Sequence, residues 1–333
     1  MDLAHDEAHK ATDKTIAQLE RRIQKVYKEA QMDLTAKARQ FFDKFEVKAQ
    51  ALRKQVETGE ITEAQYQAWL RGQVFQGKQW QDKLTQITDT VVNADKVAQK
   101  ITNGEVFGVF ANNATWQSYL LEKGAGLDFG FGLYDSSTVA RLLREQPNLL
   151  PPKRVDIPKD RRWSKAKISQ QITQGIIQGE SLDQIAARLQ RVTGMAQNFA
   201  RTNARTAMTG AQNAGRQESL NRAAGMGIKT RKEWLATLDG HTRVQHAKLD
   251  GVAVEIDEDF EVDGYRIGYP GDPHAAPEMV YNCRCTMIGD LVDYPDTDED
   301  GVQRRDNITG QPIKDMTFKD WQAAKEARRK RVE

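Results

Sequence analysis

The chain has 333 residues, 49 basic and 47 acidic side chains, a net charge of +2, 39% hydrophobic and 8% aromatic residues. That length allows two or three ordinary domains, and so even a charge balance gives no general affinity for nucleic acid, so any DNA contact must come from a local patch. No apolar run approaches the ~20 residues that span a bilayer. The N-terminal stretch MDLAHDEAHKATDK lacks the apolar core of a secretory signal, which implies a protein made and used in the cytoplasm and off the membrane.

All nine prolines lie after residue 146, four of them between Pro147 and Pro158. Proline inside a helix costs ~3 kcal/mol, so helices belong in blocks 1–146 and 159–269. The expected division is a helical arm over 1–146, a Pro-rich elbow at 147–160, a compact domain over 161–290, and an acidic loop with a basic tail over 291–333. In the first block Ile16, Leu19, Ile23, Val26, Ala30, Leu34, Ala38, Phe41, Phe45, Leu52 and Val56 recur mostly at steps of three and four. This predicts one amphipathic helix of over 40 residues, ~60 Å long, ending near Gly59. Ile61 to Ile101 carries a second stripe (Tyr66, Trp69, Leu70, Val74, Trp80, Leu84, Ile87, Val91, Val97), so an antiparallel hairpin turning at Thr58–Glu60 follows. Between Gly104 and Leu133 glycines are spaced through aromatics, which suits loops or short strands docked on neighbours.

In the second block Ser181-x-x-Gln184 is a capping-box pattern that starts a helix turning Leu182, Ile185, Ala186 and Leu189 inward. The next predicted helix, Ala196 to Ala224, bears Arg201, Arg205, Arg216 and Arg222 with Thr202, Thr206, Thr209 and Asn213 among them, on a thin alanine stripe. Those polar groups need partners. Asp239 and Asp250 are candidates for a semi-buried charge-assisted network, and DNA phosphates are the other option. At the end of the chain, GDLVDYPDTDEDG reads as a solvated loop. DMTFKDWQAAKEARRKRVE reads as a short helix with a basic end that touches DNA or an acidic subunit, or as a frayed terminus.

The stretch Trp234–Cys285 concentrates the chemistry, holding His241, His246, His274 and both cysteines. A helix over Leu235–Leu249 would put Asp239, Arg243, His246 and Asp250 on one face. Asp250-Gly251 would stop it, and Tyr269–Pro273 should be a rigid loop. Cys283 and Cys285 are too close in sequence for an unstrained disulfide. With His246 they offer three zinc ligands, and His241, His274 or Asp239 could be the fourth. The alternative is buried cysteines in a tight turn and a histidine bonded to a carboxylate. An enzymatic reading takes His246 as general base, Asp239 or Asp250 as its orienting group and Arg243 for an anionic substrate, as in a metal-dependent nuclease, or takes Cys283 as nucleophile.

The ordered motifs Lys232-x-Trp234, Leu238–Arg243 (LDGHTR), His246–Gly251 (HAKLDG), Phe260–Gly264 (FEVDG), Pro270–Pro273 (PGDP) and Asn282–Cys285 (NCRC), with the Phe199–Arg216 helix, resemble the phage Mu F-like head morphogenesis family. The resemblance covers roughly Ile168 to Ile288. Its signature falls here on Trp234, Asp239, Thr242, Arg243, His246, Asp250, Gly251, Asn282, Cys283, Arg284 and Cys285, with Arg201, Arg205, Asn213 and Arg216 as polar partners. Asn203 stands where the family commonly has glutamate, and Gly240-His241 where an acidic-Arg pair is usual. The resemblance implies a minor head protein of the virion, assembled in the host cytoplasm. Its expected partners are the portal protein and other head subunits, with phage DNA a further contact during packaging or ejection. No small-molecule substrate is implied, and a structural zinc is the one cofactor the residues suggest. The fold expected is α+β and predominantly helical, with a long N-terminal hairpin and a compact C-terminal domain containing a few short strands. A DNA-processing enzyme built on Asp239, His246, Cys283 and Cys285 is the competing function.

Overall fold

A computed structural model describes residues 6–75, 78–145, 157–178, 180, 182–292 and 304–332. Ser181 of the expected capping box, the elbow from 147 to 156 and most of the acidic run lie outside the described residues. The elements in order are α1 (Glu7–Glu57), α2 (Glu63–Phe75), α3 (Lys78–Ala125), α4 (Ser136–Glu145), α5 (Ile157–Ile177), α6 (Leu182–Gly225), β1 (Thr230–Leu235), α7 (Val244–Leu249), β2 (Ala253–Glu255), β3 (Phe260–Val262), β4 (Tyr265–Ile267), α8 (Pro277–Val280), β5 (Thr286–Leu291) and, after a 3-10 turn at Ile313–Asp315, α9 (Phe318–Val332). The fold is predominantly helical α+β, as the sequence predicts.

The chain forms two compact units that interleave along the sequence. One comprises Met1–Gln18, Thr102–Pro152 and Thr202–Glu333, and the other Leu19–Ile101 and Lys153–Arg201. The helices α1, α3 and α6, of 51, 48 and 44 residues, each run through both units.

In the second unit the expected hairpin is present. Tyr27 bonds Asp95, Asp33 bonds Thr90, and Phe45 stacks on Trp69 with ring centroids 5.4 Å apart, so sequence number rises on one arm as it falls on the other. The inward stripe is Leu19, Ile23, Tyr27, Ala30, Leu34 and Ala38, facing Ile87, Val91, Val92 and Ala98. Each fully buried leucine or isoleucine contributes about 1.5–3 kcal/mol, which holds together helices far longer than propensity alone would sustain. Thr62 and Gln65 close a reciprocal capping box at the start of α2.

In the first unit α3 continues through 104–125, where loops or short strands were expected. Gly104 and Gly108 sit inside the helix, and the aromatics between them and Ala125 supply the reason. Phe110, Trp116 and Tyr119 are buried, and Trp116, Tyr119, Phe131, Leu220, Met287, Met316 and Trp321 build a core of the unit. That burial outweighs a helix penalty of ~1 kcal/mol per glycine. The two expected helices of the second block are likewise one, because Gly194 does not interrupt α6. At Gly215 a Cβ would lie 2.3 Å from the Phe110 carbonyl oxygen, so α3 and α6 approach backbone to backbone there.

The sheet has order β2-β1-β5, antiparallel throughout, with Trp234 opposite Met287, and β3 and β4 form a separate hairpin. β1 occupies 230–235, so the helix expected over Leu235–Leu249 is wrong in its first half and survives only as α7. Asp239 and Arg243 therefore do not share a helical face with His246. The LDGHTR segment turns instead because the Asp239 carboxylate accepts the His241 N–H at 2.8 Å and Thr242 bonds the Thr237 carbonyl. The C-terminal tail is not frayed. A Thr317–Asp320 cap starts α9, and Trp321 and Ala324 are buried.

Candidate functional site

The site is built by α6 reading the backbone of the cysteine segment. Thr206, Thr209, Asn213 and Arg216 are spaced by three, four and three residues and so lie on one helical face. Asn282 N–H donates to Thr206 Oγ1 at 2.9 Å, and Thr209 Oγ1 donates to the Cys283 carbonyl at 2.8 Å. Asn213 Nδ2 donates to the carbonyls of Pro270 (2.9 Å) and Cys285 (3.3 Å), while its Oδ1 accepts the Met287 N–H at 3.0 Å and the Thr286 hydroxyl at 3.1 Å. Arg216 Nη1 donates to the Met287 carbonyl at 2.8 Å. One turn of loop and the start of β5 are thereby held in a single register.

Arg216 is wholly buried and ion-paired with Asp6 at 2.7 Å, and both its Nε and Nη2 donate to Asn113 Oδ1 at 3.1 Å. Burial pushes the Asp6 carboxyl up, but the charge and hydrogen bonds of Arg216, with the His9 N–H, outweigh it and hold Asp6 below the usual carboxylate range. Arg205 donates to Asn282 Oδ1 at 3.1 Å, and Arg201 pairs with Glu20 at 3.2 Å. The expected pairing of these arginines with Asp239 and Asp250 is not what forms. Asp239 is held by the Arg284 guanidinium, whose hydrogen bonds, joined by the His241 N–H, keep its carboxyl well below the ordinary range. Asp250 accepts the Ala236 N–H at 2.8 Å, and Gly251 follows with φ of +74°.

The signature residues converge from both sides of this clamp. Asn282 takes φ of +58°, a left-handed conformation that asparagine tolerates, and turns the chain after α8 so that both cysteines point inward. Thr237 donates to the Arg284 carbonyl at 2.8 Å and Arg243 donates to the Tyr281 carbonyl. The loop Tyr269–Pro273 packs on α6 at Gly271, which has φ of +84° and whose Cβ would meet the Gly210 backbone at 2.8 Å. Trp234, fully buried, lies edge-to-face with His246 and with Phe260, each at 5.3 Å.

His246 Nδ1 stands 3.5 Å from Cys283 Sγ and 3.4 Å from Cys285 Sγ, and all three side chains are buried. These are the residues that could hold a metal, their ligand atoms lying within 4.8 Å of one another. The hydrogen bond from the Cys283 thiol lowers Cys285 against burial and with help from His246; the same bond, with burial, pushes Cys283 well up. Asp239, the other expected ligand, is taken by Arg284, and His241 and His274 are exposed on their loops.

Other polar groups carry the unit without having been singled out in the sequence. Gln117 exchanges two hydrogen bonds of 3.0 Å with the backbone of Gly289. Glu122 accepts from Trp321 Nε1 (2.6 Å), Lys325 (2.8 Å) and the Phe129 and Phe131 N–H groups. Burial pushes Glu122 above its usual range, and the charge of Lys325 only partly opposes this. Arg328 pairs with Asp128 and Asp306, and Arg329 with Asp135, so much of the basic tail is used internally. An acidic residue ahead of a helix could have marked Asp6 as a cap. Nothing local marks its partner 210 positions away.

Residues 166–288, from within α5 to within β5, match the family described as Phage Mu protein F like protein. This part of the chain is similar to the phage Mu protein F-like family. The chain is 28% identical over 324 residues, 97% of each chain, to the minor head protein GP7 of Bacillus phage SPP1. It is 33% identical over 159 residues to the NAD(+)–arginine ADP-ribosyltransferase EFV of Enterococcus faecalis, a match covering 47% of this chain and 31% of that protein. A third relative is the uncharacterised protein YqbB of Bacillus subtilis, 28% identical over 120 residues, 35% of this chain and 38% of the other. No solved structure matches significantly. The matched region contains the α6 clamp, the cysteine pair and His246.

Proposed function

We propose that this chain is a minor head protein of a tailed phage or prophage, built into the head and acting in head morphogenesis through protein contacts. The observation that carries this reading is the match to a minor head protein along 97% of both chains, an alignment that is not limited to the clamp and its cysteine segment. The portal is the proposed neighbour, incorporation takes place on the procapsid in the host cytoplasm, and a role in packaging or ejecting DNA is the finer proposal. The stretch shared with EFV is 31% of that protein and is no basis for transferring its chemistry. A nuclease built on this site is disfavoured physically: His246 is 1% exposed, and a general base must reach the group it deprotonates. Asp239, its intended partner, is neutralised by Arg284.

The test is the composition of purified heads. The chain should co-sediment with portal and major head protein at a few copies per particle, and disruption of its gene should lower the yield of infectious particles. Heads that lack the chain, together with full infectivity after disruption, would overturn the reading.

A further inference from the structure

We propose that Cys283, Cys285 and His246 form a binding site for a zinc-class divalent ion, with water as the fourth ligand. Three observations converge on it. A tetrahedral zinc with Zn–S of about 2.3 Å and Zn–N of about 2.0–2.1 Å sets its S and N ligands about 3.5 Å apart, and the structure places His246 Nδ1 at 3.5 and 3.4 Å from the two sulfurs. Hydrogen bonding alone oversubscribes that nitrogen, which offers one lone pair or one proton and faces two thiols. A single cation at the centroid satisfies all three atoms at once.

The surroundings fit the same ion. The Cys285 N–H lies 3.4 Å from Cys283 Sγ and points a donor at a sulfur that would carry thiolate charge. His246 Nε2 is buried and has no hydrogen-bond partner among the described residues, so the ring meets polar partners only through Nδ1, the nitrogen that faces the two sulfurs. The donor set is soft, two sulfurs and an imidazole with no carboxylate, which selects zinc over magnesium or calcium. Binding forms two S–metal bonds and one N–metal bond, and the two thiol protons leave to solvent. The neutral site that results, two thiolates against a divalent ion, is cheaper to bury than a lone thiolate beside an imidazolium.

The ion would staple α7, through His246, to the turn after α8, through the cysteines, closing the small apolar cluster of Trp234, Leu249, Phe260, Ile267 and Met279. Elements of three to six residues have little stability of their own, and a metal cross-link between them is the staple small folds use. This inference does not depend on the head-assembly reading.

The test begins with metal analysis of the untagged full chain by mass spectrometry, as purified and after zinc addition and desalting. About one zinc per chain is expected, falling at least tenfold in the Cys283→Ser, Cys285→Ser double variant. Because that variant could fail to fold, a second measurement uses wild-type protein only. Chelator-stripped chain is titrated with cobalt(II), and the thiolate-to-cobalt absorption of a tetrahedral site with two sulfur ligands should saturate at one equivalent and vanish on zinc addition. Less than a tenth of an equivalent of zinc after re-addition, or no thiolate-to-cobalt band, would overturn the proposal.

Discussion

Asn213 is the position at which the reading of α6 as a backbone clamp is most exposed to test. Replacing it with alanine removes partners from the carbonyls of Pro270 and Cys285 and from the Met287 N–H, all buried beneath α6. A buried polar group left unpaired costs ~1–3 kcal/mol, and a water entering the space of the lost side chain offsets part of the sum. The expected loss is therefore about 3–5 kcal/mol, large against a total stability of ~5–15 kcal/mol. Asn213→Asp separates the clamp from mere volume. It keeps an acceptor for Met287 and Thr286 but turns an oxygen towards two carbonyls, so at pH 7 it should be worse than alanine despite being nearly isosteric. As pH falls and the acid regains a proton to donate, the deficit relative to alanine should shrink. Guanidinium unfolding followed by circular dichroism gives the energies, and hydrogen exchange at Met287 reports the lost bond locally. If Asn213→Ala cost less than about 1 kcal/mol, or Asn213→Asp matched wild type at pH 7, the clamp would not be what holds this segment.

Four further outcomes can be measured on the same protein. Arg216→Met should cost about 3–5 kcal/mol because Asp6 is left buried and unpaired, and adding Asp6→Ala should recover part of the loss; strict additivity in the cycle would contradict the pairing. Asp6 titrates below its unfolded value, so its contribution is complete above the unfolded carboxylate pKa and lost as pH falls through the folded one. Acid unfolding should come at lower pH in wild type than in Asp6→Asn. Burial lowers Lys232 to about 8, so between roughly pH 8 and 10.5 the folded chain binds fewer protons and stability should rise with pH; Lys232→Met should abolish that slope, worth up to roughly 3 kcal/mol. Gly271→Ala combines a left-handed φ with a clash against Gly210 and should cost at least about 2 kcal/mol in thermal unfolding.

What could be read from the sequence depended on how local its cause was. The hairpin of α1 was legible because apolar residues recur at helical spacing from Ile16 to Val56, and its end near Gly59 because glycine there suits the φ of +78° just past Glu57. The 104–125 helix was not, since its glycines argue against a helix locally and the burial of Phe110 and Trp116 that overrides them is tertiary. β1 was hidden by one residue. In Thr230–Leu235 the inward positions are Thr230, Lys232 and Trp234, and a buried lysine at the centre disguises the alternation. Its ammonium is accommodated by the Gly268 carbonyl at 2.9 Å and the face of Phe260, neither of which a local window contains. The cysteines and His246 could be grouped from residue type alone. Asp6 and Asn113, which complete the surroundings of Arg216, could not, because the chain brings them together across more than 100 residues.

The alanine-rich, polar character of α6 has its explanation in what lies across from it. The segment from α7 to α8 contains strands of three residues and helices of six and four, each too short to satisfy its own backbone. Its apolar cluster excludes water from backbone groups nearby, and α6 reaches the carbonyls of Pro270, Cys283 and Cys285. A helix carrying leucines on that face would bury area and leave those groups orphaned. Small residues instead let α6 come close, and Thr206, Thr209, Asn213 and Arg216 supply donors and acceptors at the helical repeat. The four contacts fall on residues 282, 283, 285 and 287 in order, so a slip of one residue would misplace all of them together. Hydrogen-bond matching to α6 therefore fixes register there alongside side-chain packing, and the two sulfurs meet His246 in the register that α6 selects.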